Sequence, residues 1–162
     1  MKPTAIAGVL LLLSTLASPA SAEVDLTSVD ACIAQARSDG QPPTACIDAA
    51  HAACQAEPGD SHMVAALCYA QAREIWGNGI RDRMSAITAT APEKLAAIAG
   101  IEVKYDLIAN LTQCDRIEEL SRLGDATGEE IQRQKARCEA TASGLAYLRL
   151  VWRSADLPEK EQ

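Results

Sequence analysis

Six cysteines, two histidines and a few paired carboxylates are the residues of this chain whose types and spacing could do chemistry. Cys32, Cys46, Cys54, Cys68, Cys114 and Cys138 could hold a metal, run a redox cycle or close disulfides. Structural zinc prefers close pairs such as C-x2-C, and the chain has none. With only His51 and His62 to add, neither a metal nor another cofactor is expected. The missing C-x-x-C also removes the motif of a thioredoxin-type redox centre. An even cysteine count behind an export signal reads as a disulfide framework.

Hydrolytic chemistry lacks its parts. A Ser/His/Asp set needs a base held beside a nucleophile, and His51 and His62 are expected in surface or capping duty. Glu118-Glu119 and Glu129-Glu130 are neighbours in sequence. On a helix such neighbours point about 100° apart and do not face one another. They read as solvated faces or as helix-start charges favoured by the dipole. No Gly-rich loop offers a phosphate cradle, and the expectation is a protein that is not an enzyme. Trp76 reads in two ways. It is a candidate partner-binding aromatic in a groove beside Gly77 and Gly79, or a core ring packed on the first two helices, which is the commoner case. Trp152 has the same two readings, with core packing preferred.

The elements that must position these residues begin after residue 22. Lys2, an apolar run from Ala5 to Leu16 and the small-x-small exit Ala20-Ser21-Ala22 are the three parts of a signal peptide. The run is shorter than the roughly 20 residues of a membrane span, and no later stretch is long and apolar enough to be one. Cleavage after Ala22 leaves a single helical domain over 23–157 and a short tail, 158–162, expected to fray. Loss of Lys2 takes the formal charge from −7 to −8. Nucleic acid and anionic lipid demand Lys/Arg patches, so neither is an expected partner. A basic protein would be favoured electrostatically, although surface acid also serves solubility alone.

The mature chain lacks Phe, and its aromatics are Tyr69, Trp76, Tyr105, Tyr147 and Trp152. Much of its apolar content is Ala, a strong helix former with little area to bury. A core this thin is expected to lean on covalent staples. Alternating strand patterns are nearly absent, whereas helical spacing recurs. Leu26, Val29, Ile33 and Ala36 line a short first helix, stopped by Gly40 and Pro42-Pro43. A second short helix follows to about Gln55. A long third helix, about 61–88 and capped by Asp60 or Ser61, is expected to bury Val64, Leu67, Cys68, Gln71, Ile75, Ile80, Met84 and Ile87. A fourth opens at Pro92 with the stripe Leu95, Ile98, Ile101, Tyr105, Ile108, Leu111 and Leu120, and Gly124 suits its C-cap. The fifth starts at Thr127, where Thr127-Gly128-Glu129-Glu130 has capping-box order. Its stripe is Ile131, Gln134, Cys138, Ala142, Leu145, Leu148 and Trp152. Short connections imply antiparallel neighbours. The predicted fold is therefore all-α, an up-and-down bundle of about five helices, two short and three long, stapled by three disulfides.

The turns choose among the 15 pairings that six cysteines allow. Residues equidistant from the turn of an antiparallel helix pair lie side by side. Cys32 and Cys46 are centred on Asp39, Cys54 and Cys68 on Ser61, and Cys114 and Cys138 on Ala126. All three centres fall in turns read independently of the cysteines. The predicted bridges are Cys32–Cys46, Cys54–Cys68 and Cys114–Cys138, each worth roughly 3 kcal/mol on the chain-entropy model.

The cysteine order resembles that of the LprI-like lysozyme inhibitor family of small exported helical proteins. There a cysteine leads into a helix reading C-x3-E-x3-W-D-x2-L-N. Here Cys68 and Trp76 match, Ile80 stands for Leu, and Ala72, Gly77 and Arg81 replace Glu, Asp and Asn. The later family block A-Q-x2-W-x2-[YF]-R-D-x2-C aligns its Cys with Cys114, while Val103, Asp106 and Asn110 depart from its Gln, Trp and Arg. The closing segment is similar from Cys138 to Leu148. The resemblance thus runs from about Cys32 to Leu148 and rests on the cysteine framework, one Trp and helix order. It implies a periplasmic or secreted binding protein whose partner is a lysozyme. A structural or envelope-assembly protein without lysozyme activity is the alternative.

Overall fold

Alanine and glycine, more than leucine, decide how the helices of this chain meet. The computed structural model describes residues 24–160, and the expected signal peptide lies outside the described residues. These form six helices and no strand: α1 (Leu26–Ser38), α2 (Ala45–Ala50), α3 (Ala52–Gln55), α4 (His62–Thr90), α5 (Glu93–Ser121) and α6 (Gly128–Ser154). The fold is all-α, as expected. The single short helix expected before Gln55 is two, α2 and α3, parted at His51, whose φ of −94° and ψ of 2° leave the helical basin.

Local chemistry sets the ends. Asp25 caps α1 by accepting from the Thr27 N–H at 3.0 Å. Gly40 closes α1 with φ 63°, while Gln41 N donates to Ala36 O and Gly40 N to Arg37 O. These are the paired bonds of a Schellman ending, which needs a left-handed residue and so favours Gly. Thr127 and Glu130 form the expected capping box, with Thr127 N donating to Glu130 Oε2 at 2.7 Å and Glu130 N to Thr127 Oγ1 at 3.3 Å. Ser61 takes the N-cap place of α4 but makes no side-chain bond there. Gly124 lies beyond the end of α5, which is capped at Arg122.

The layer order differs from that of a simple meander. The central helix is α6. Along one side α4 runs parallel to it, joined by Arg73 to Glu139 and by Arg83 Nε to Ser154 Oγ at 3.2 Å. On the other side α5 runs antiparallel, joined by Cys114–Cys138, by Arg149–Asp106 at 3.0 Å and by Arg153–Glu102 at 3.1 Å. Although consecutive, α4 and α5 meet little. The short helices pack over the α4–α6 seam, with Ile47 of α2 against Gly144 and Leu26 of α1 against Gly79.

Small residues explain this order. Ala65, Ala72 and Gly79 recur seven apart on the buried face of α4, and α6 answers with Ala140, Ser143, Gly144 and Ala146. A Cβ on Gly79 would come within 2.8 Å of Leu26 and 2.9 Å of the Tyr147 ring. A branched side chain cannot stand at Gly79, where the seam is this close, and only part of the expected α4 stripe is buried. Val64 and Leu67 are exposed, as is Gln71, whereas Cys68, Ile80 and Ile87 are buried as expected. The α5 stripe is also corrected: Ile98, Ile101, Tyr105, Ile108 and Leu120 face outward, and Ala96, Val103, Cys114 and Glu118 face the bundle. Within the expected tail, Lys160 reaches back to α4. Its N–H donates to Thr90 O and its Nζ to Thr88 O, both at 2.8 Å. These are carbonyls of the last turn of α4, which need such partners.

Candidate functional site

Cys32–Cys46, Cys54–Cys68 and Cys114–Cys138 are formed, with Cα–Cα separations of 5.9, 5.5 and 5.6 Å, and no cysteine is free. The pairing is the one centred on the three turns. The first bridge ties α1 to α2, the second α3 to α4, and the third α5 to α6. Among the described residues no three His, Cys, Asp or Glu side chains converge on a metal position.

The candidate partner-binding set Trp76, Gly77 and Gly79 does not form a surface. Trp76 is 0 % exposed, so its ring has no face to offer a partner. It lies between Gly144, whose absent Cβ leaves room for the indole, and Tyr147, whose ring centroid is 5.5 Å away. Gly79 is filled by Leu26 and Tyr147, while a Cβ on Gly77 would touch only Arg81 Nη1 at 3.8 Å. Core packing, the commoner role, is the one Trp76 has. Trp152 is half-buried, with the Arg37 guanidinium over its ring at 5.4 Å.

His51 departs from the expected surface role, at 2 % exposure. Trp76 Nε1 donates to His51 Nε2 at 3.0 Å. The ring therefore accepts at Nε2 and is neutral with its proton on Nδ1. Burial holds its pKa below the ordinary 6.5, opposed by the nearby Asp48 carboxylate and reinforced by Arg137. Tyr69 meets the same imidazole edge-on at 5.6 Å. The break between α2 and α3 carries this side chain into the core, and a lone His in an Ala-rich sequence gives no sign of it. A partly buried polar contact joins Tyr147 Oη to Asp30 Oδ1 at 2.7 Å, locking α6 to α1. Burial and that carboxylate push the Tyr147 phenol upward, so it remains a donor.

Glu118 also departs from its reading as a solvated charge. It is buried between α5 and α6, paired with Arg122 at 2.5 Å and with Lys135. The hydrogen bond from Lys135 holds its carboxyl below the usual range. The inward position was legible in the 3.6-residue spacing Cys114–Glu118, had the cysteine been used to set the face.

Three further surface features stand beside an open hollow of about 620 Å³ lined by Asp60, His62, Thr127, Gly128, Glu129 and Glu130. A groove of about 390 Å³ crosses α6 between α2 and α5. Its floor is Cys114–Cys138, Ala142 and Leu145, and Asp48, Asn110, Gln113 and Arg137 line its sides. A smaller crevice of about 80 Å³ lies between α5 and α6, lined by Leu95, Ile98, Val103, Leu150 and Leu157 beside the two Arg–carboxylate pairs. The third is the outer face of α5, where Ile98 is 43 %, Ile101 56 %, Tyr105 66 % and Ile108 51 % exposed. Exposed apolar residues scattered singly are ordinary, and here four stand in a row on one helix face. Chemically these surfaces can bind, through apolar contact and hydrogen bonds. The sequence contained the α5 row, but read it as core. No family model matches the chain, and neither does any curated protein or solved structure.

Proposed function

We propose that the chain is an exported, non-enzymatic binding protein, and that its partner is a basic lysozyme. The observation that carries this reading is the scaffold in which all six cysteines are paired. Such bridges persist in oxidising compartments, which fits the signal-peptide pattern and a periplasmic or secreted location. No helix among the described residues is long and apolar enough to cross a membrane. Two of the polar side chains with chemical potential are spent internally, His51 on Trp76 and Tyr147 on Asp30. A rigid scaffold of this kind presents a surface at little entropic cost.

The lysozyme is supplied by the resemblance to the LprI-like family, and the mature charge of −8 supports a basic partner. Opposite net charges steer association and make it salt-dependent. The test is incubation of the mature protein with several lysozymes and measurement of cell-wall lysis. Loss of lysis at micromolar protein, weakening as salt rises, is expected. Full lysis with every enzyme overturns the lysozyme assignment. The exposed row on α5 favours a second reading, an envelope-assembly protein that packs against another exported chain. A stable host partner recovered from an envelope extract, with no lysozyme bound, would select it.

A further inference from the structure

We propose that Cys138 is the point of entry for thiol–disulfide exchange, and that Cys114–Cys138 is a reducible clasp holding α5 to the bundle. The three bridges differ in their surroundings. Cys46, Cys54 and Cys68 belong to the main apolar core, and Cys32, itself partly buried, packs against it. Cys114 and Cys138 stand outside that cluster. They floor the groove of about 390 Å³ between α2 and α5. Cys114 is 1 % exposed, whereas Cys138 is only partly buried. An attacking thiolate must reach one sulfur directly, so access decides which bridge reacts and at which end. The groove supplies that access at Cys138. The charged residues lining it, Asp48 and Arg137, are of opposite sign. An anionic thiolate therefore meets no net repulsion there, although the chain as a whole is acidic.

The co-reactant is a dithiol. Its first thiolate attacks Cys138 Sγ and bonds to it, the Sγ–Sγ bond breaks, and Cys114 leaves as a thiolate. The second thiol then attacks the reductant's own sulfur in the mixed disulfide and releases Cys138. The dithiol loses two electrons and two protons and closes to a disulfide. The bridge gains both and ends as two thiols. Little else holds this half of α5. After Cys114, Glu118 alone among the described residues of the helix is buried. Lys135 of α6 reaches it and Asp115. The first half keeps Val103 and its two pairs with Arg149 and Arg153. The bridges packed in the core remain closed, so α4 stays on α6. Reduction thus frees the C-terminal half of α5 by a local opening. It also dismantles the groove, one wall of which is Asn110, Gln113 and Ile117. The groove is a surface of the oxidised protein, lost in the reduced one. The proposal does not depend on the lysozyme reading, and failure of either leaves the other standing.

Timed reduction of the full mature chain tests this. The native protein is treated with dithiothreitol, quenched at intervals with N-ethylmaleimide in denaturant, and mapped by mass spectrometry. Cys114 and Cys138 should be labelled first, faster than either other pair by on the order of tenfold or more. A second arm uses glutathione, a monothiol, to trap the first step. Glutathione should be found on Cys138 and maleimide on Cys114. Hydrogen exchange of protein reduced at this bridge alone should show lost protection over residues 112–121 and retained protection in α4. Opening of Cys32–Cys46 first, or of all three bridges together, overturns the proposal. So does glutathione on Cys114, or protection of α5 unchanged by the reduction.

Discussion

Helices α4 and α5 have the same length, 29 residues each, yet α4 buries nine residues and α5 only four. The residues buried on α4 are mostly small or aromatic, and those turned to solvent include Val64 and Leu67. On α5 Ile98, Ile101 and Ile108 also face out, and apart from Val103 little of the opposite face is drawn into the core. The contrast shows two ways of attaching a helix. One is attached by close backbone approach around Trp76 and Gly79. The other is attached at its edge, by a disulfide, a buried carboxylate and two Arg–carboxylate pairs. The first way holds a helix through packing, and the second leaves a face free for another molecule.

The most damaging break of the contrast is Trp76→Ala. It opens a large cavity and strands His51 Nε2 without its donor, so a loss of about 3–5 kcal/mol is expected from urea unfolding. Tyr105→Ala, an aromatic truncation on the free face of α5, should change the stability of the monomer by no more than about 0.5 kcal/mol. Equal losses at the two sites would erase the distinction.

Next in size is removal of the α5 bridge. Cys114→Ser with Cys138→Ser opens a loop spanning 24 residues and should cost roughly 3 kcal/mol. The loss should be accompanied by raised proteolysis confined to α5. Cleavage spread evenly through α4 and α6 would show that the bridge supports the whole core instead.

A smaller pair of changes sharpens the account of close approach. Gly77 and Gly79 differ only in what surrounds them. Gly77→Ala meets nothing tighter than Arg81 at 3.8 Å and should stabilise by up to about 1 kcal/mol, the helix-propensity gain. Gly79→Ala drives a methyl into Leu26 and Tyr147 and should destabilise by about 1–2 kcal/mol despite the same gain. Thermal unfolding of the two variants should move in opposite directions, and a shared direction would contradict the reading of the seam.

The smallest effect expected is a pH slope. Burial keeps folded His51 below its ordinary 6.5, so the unfolded chain binds the proton more readily. Stability is then full above pH 6.5 and falls as pH drops below it. Asp48 and Arg137 are the charged neighbours acting on the ring. Glu118 also has a lowered pKa, but its contribution is present above about 4.5 and is lost only below that. Between pH 6.5 and 5 the slope therefore belongs to His51, and His51→Gln, which retains an acceptor for Trp76, should flatten it. An unchanged slope in that variant would place the titrating group elsewhere.

The framework was legible in the sequence because it rests on local rules. The caps at Gly40 and Thr127 and the turns between helices follow from backbone chemistry. The disulfide pairing follows from those turns by symmetry. Packing faces were less legible, because the helical period locates a stripe without saying which stripe is inside. Weighting that choice by side-chain size pointed to Val64, Leu67 and Ile101, and close approach through Ala and Gly reversed it. Had the cysteines been used as inward markers, Cys68 and Cys114 would have selected Ala72, Val103 and Glu118 correctly. The interior position of His51 had no such marker. It depends on the break between α2 and α3 and on a donor 25 residues away, and neither leaves a pattern in the chain.

Native-state hydrogen exchange, resolved by residue, asks most directly whether α4 and α6 form the core and α5 an edge. Amides of Tyr69–Ile80 and Ala140–Val151 are expected to exchange only through global unfolding. Those of Ile98–Ile108 are expected to exchange through a smaller opening with a lower free energy. Uniform protection across all three helices, or greater protection on α5, would contradict the division of the molecule into a packed core and an edge-tethered helix.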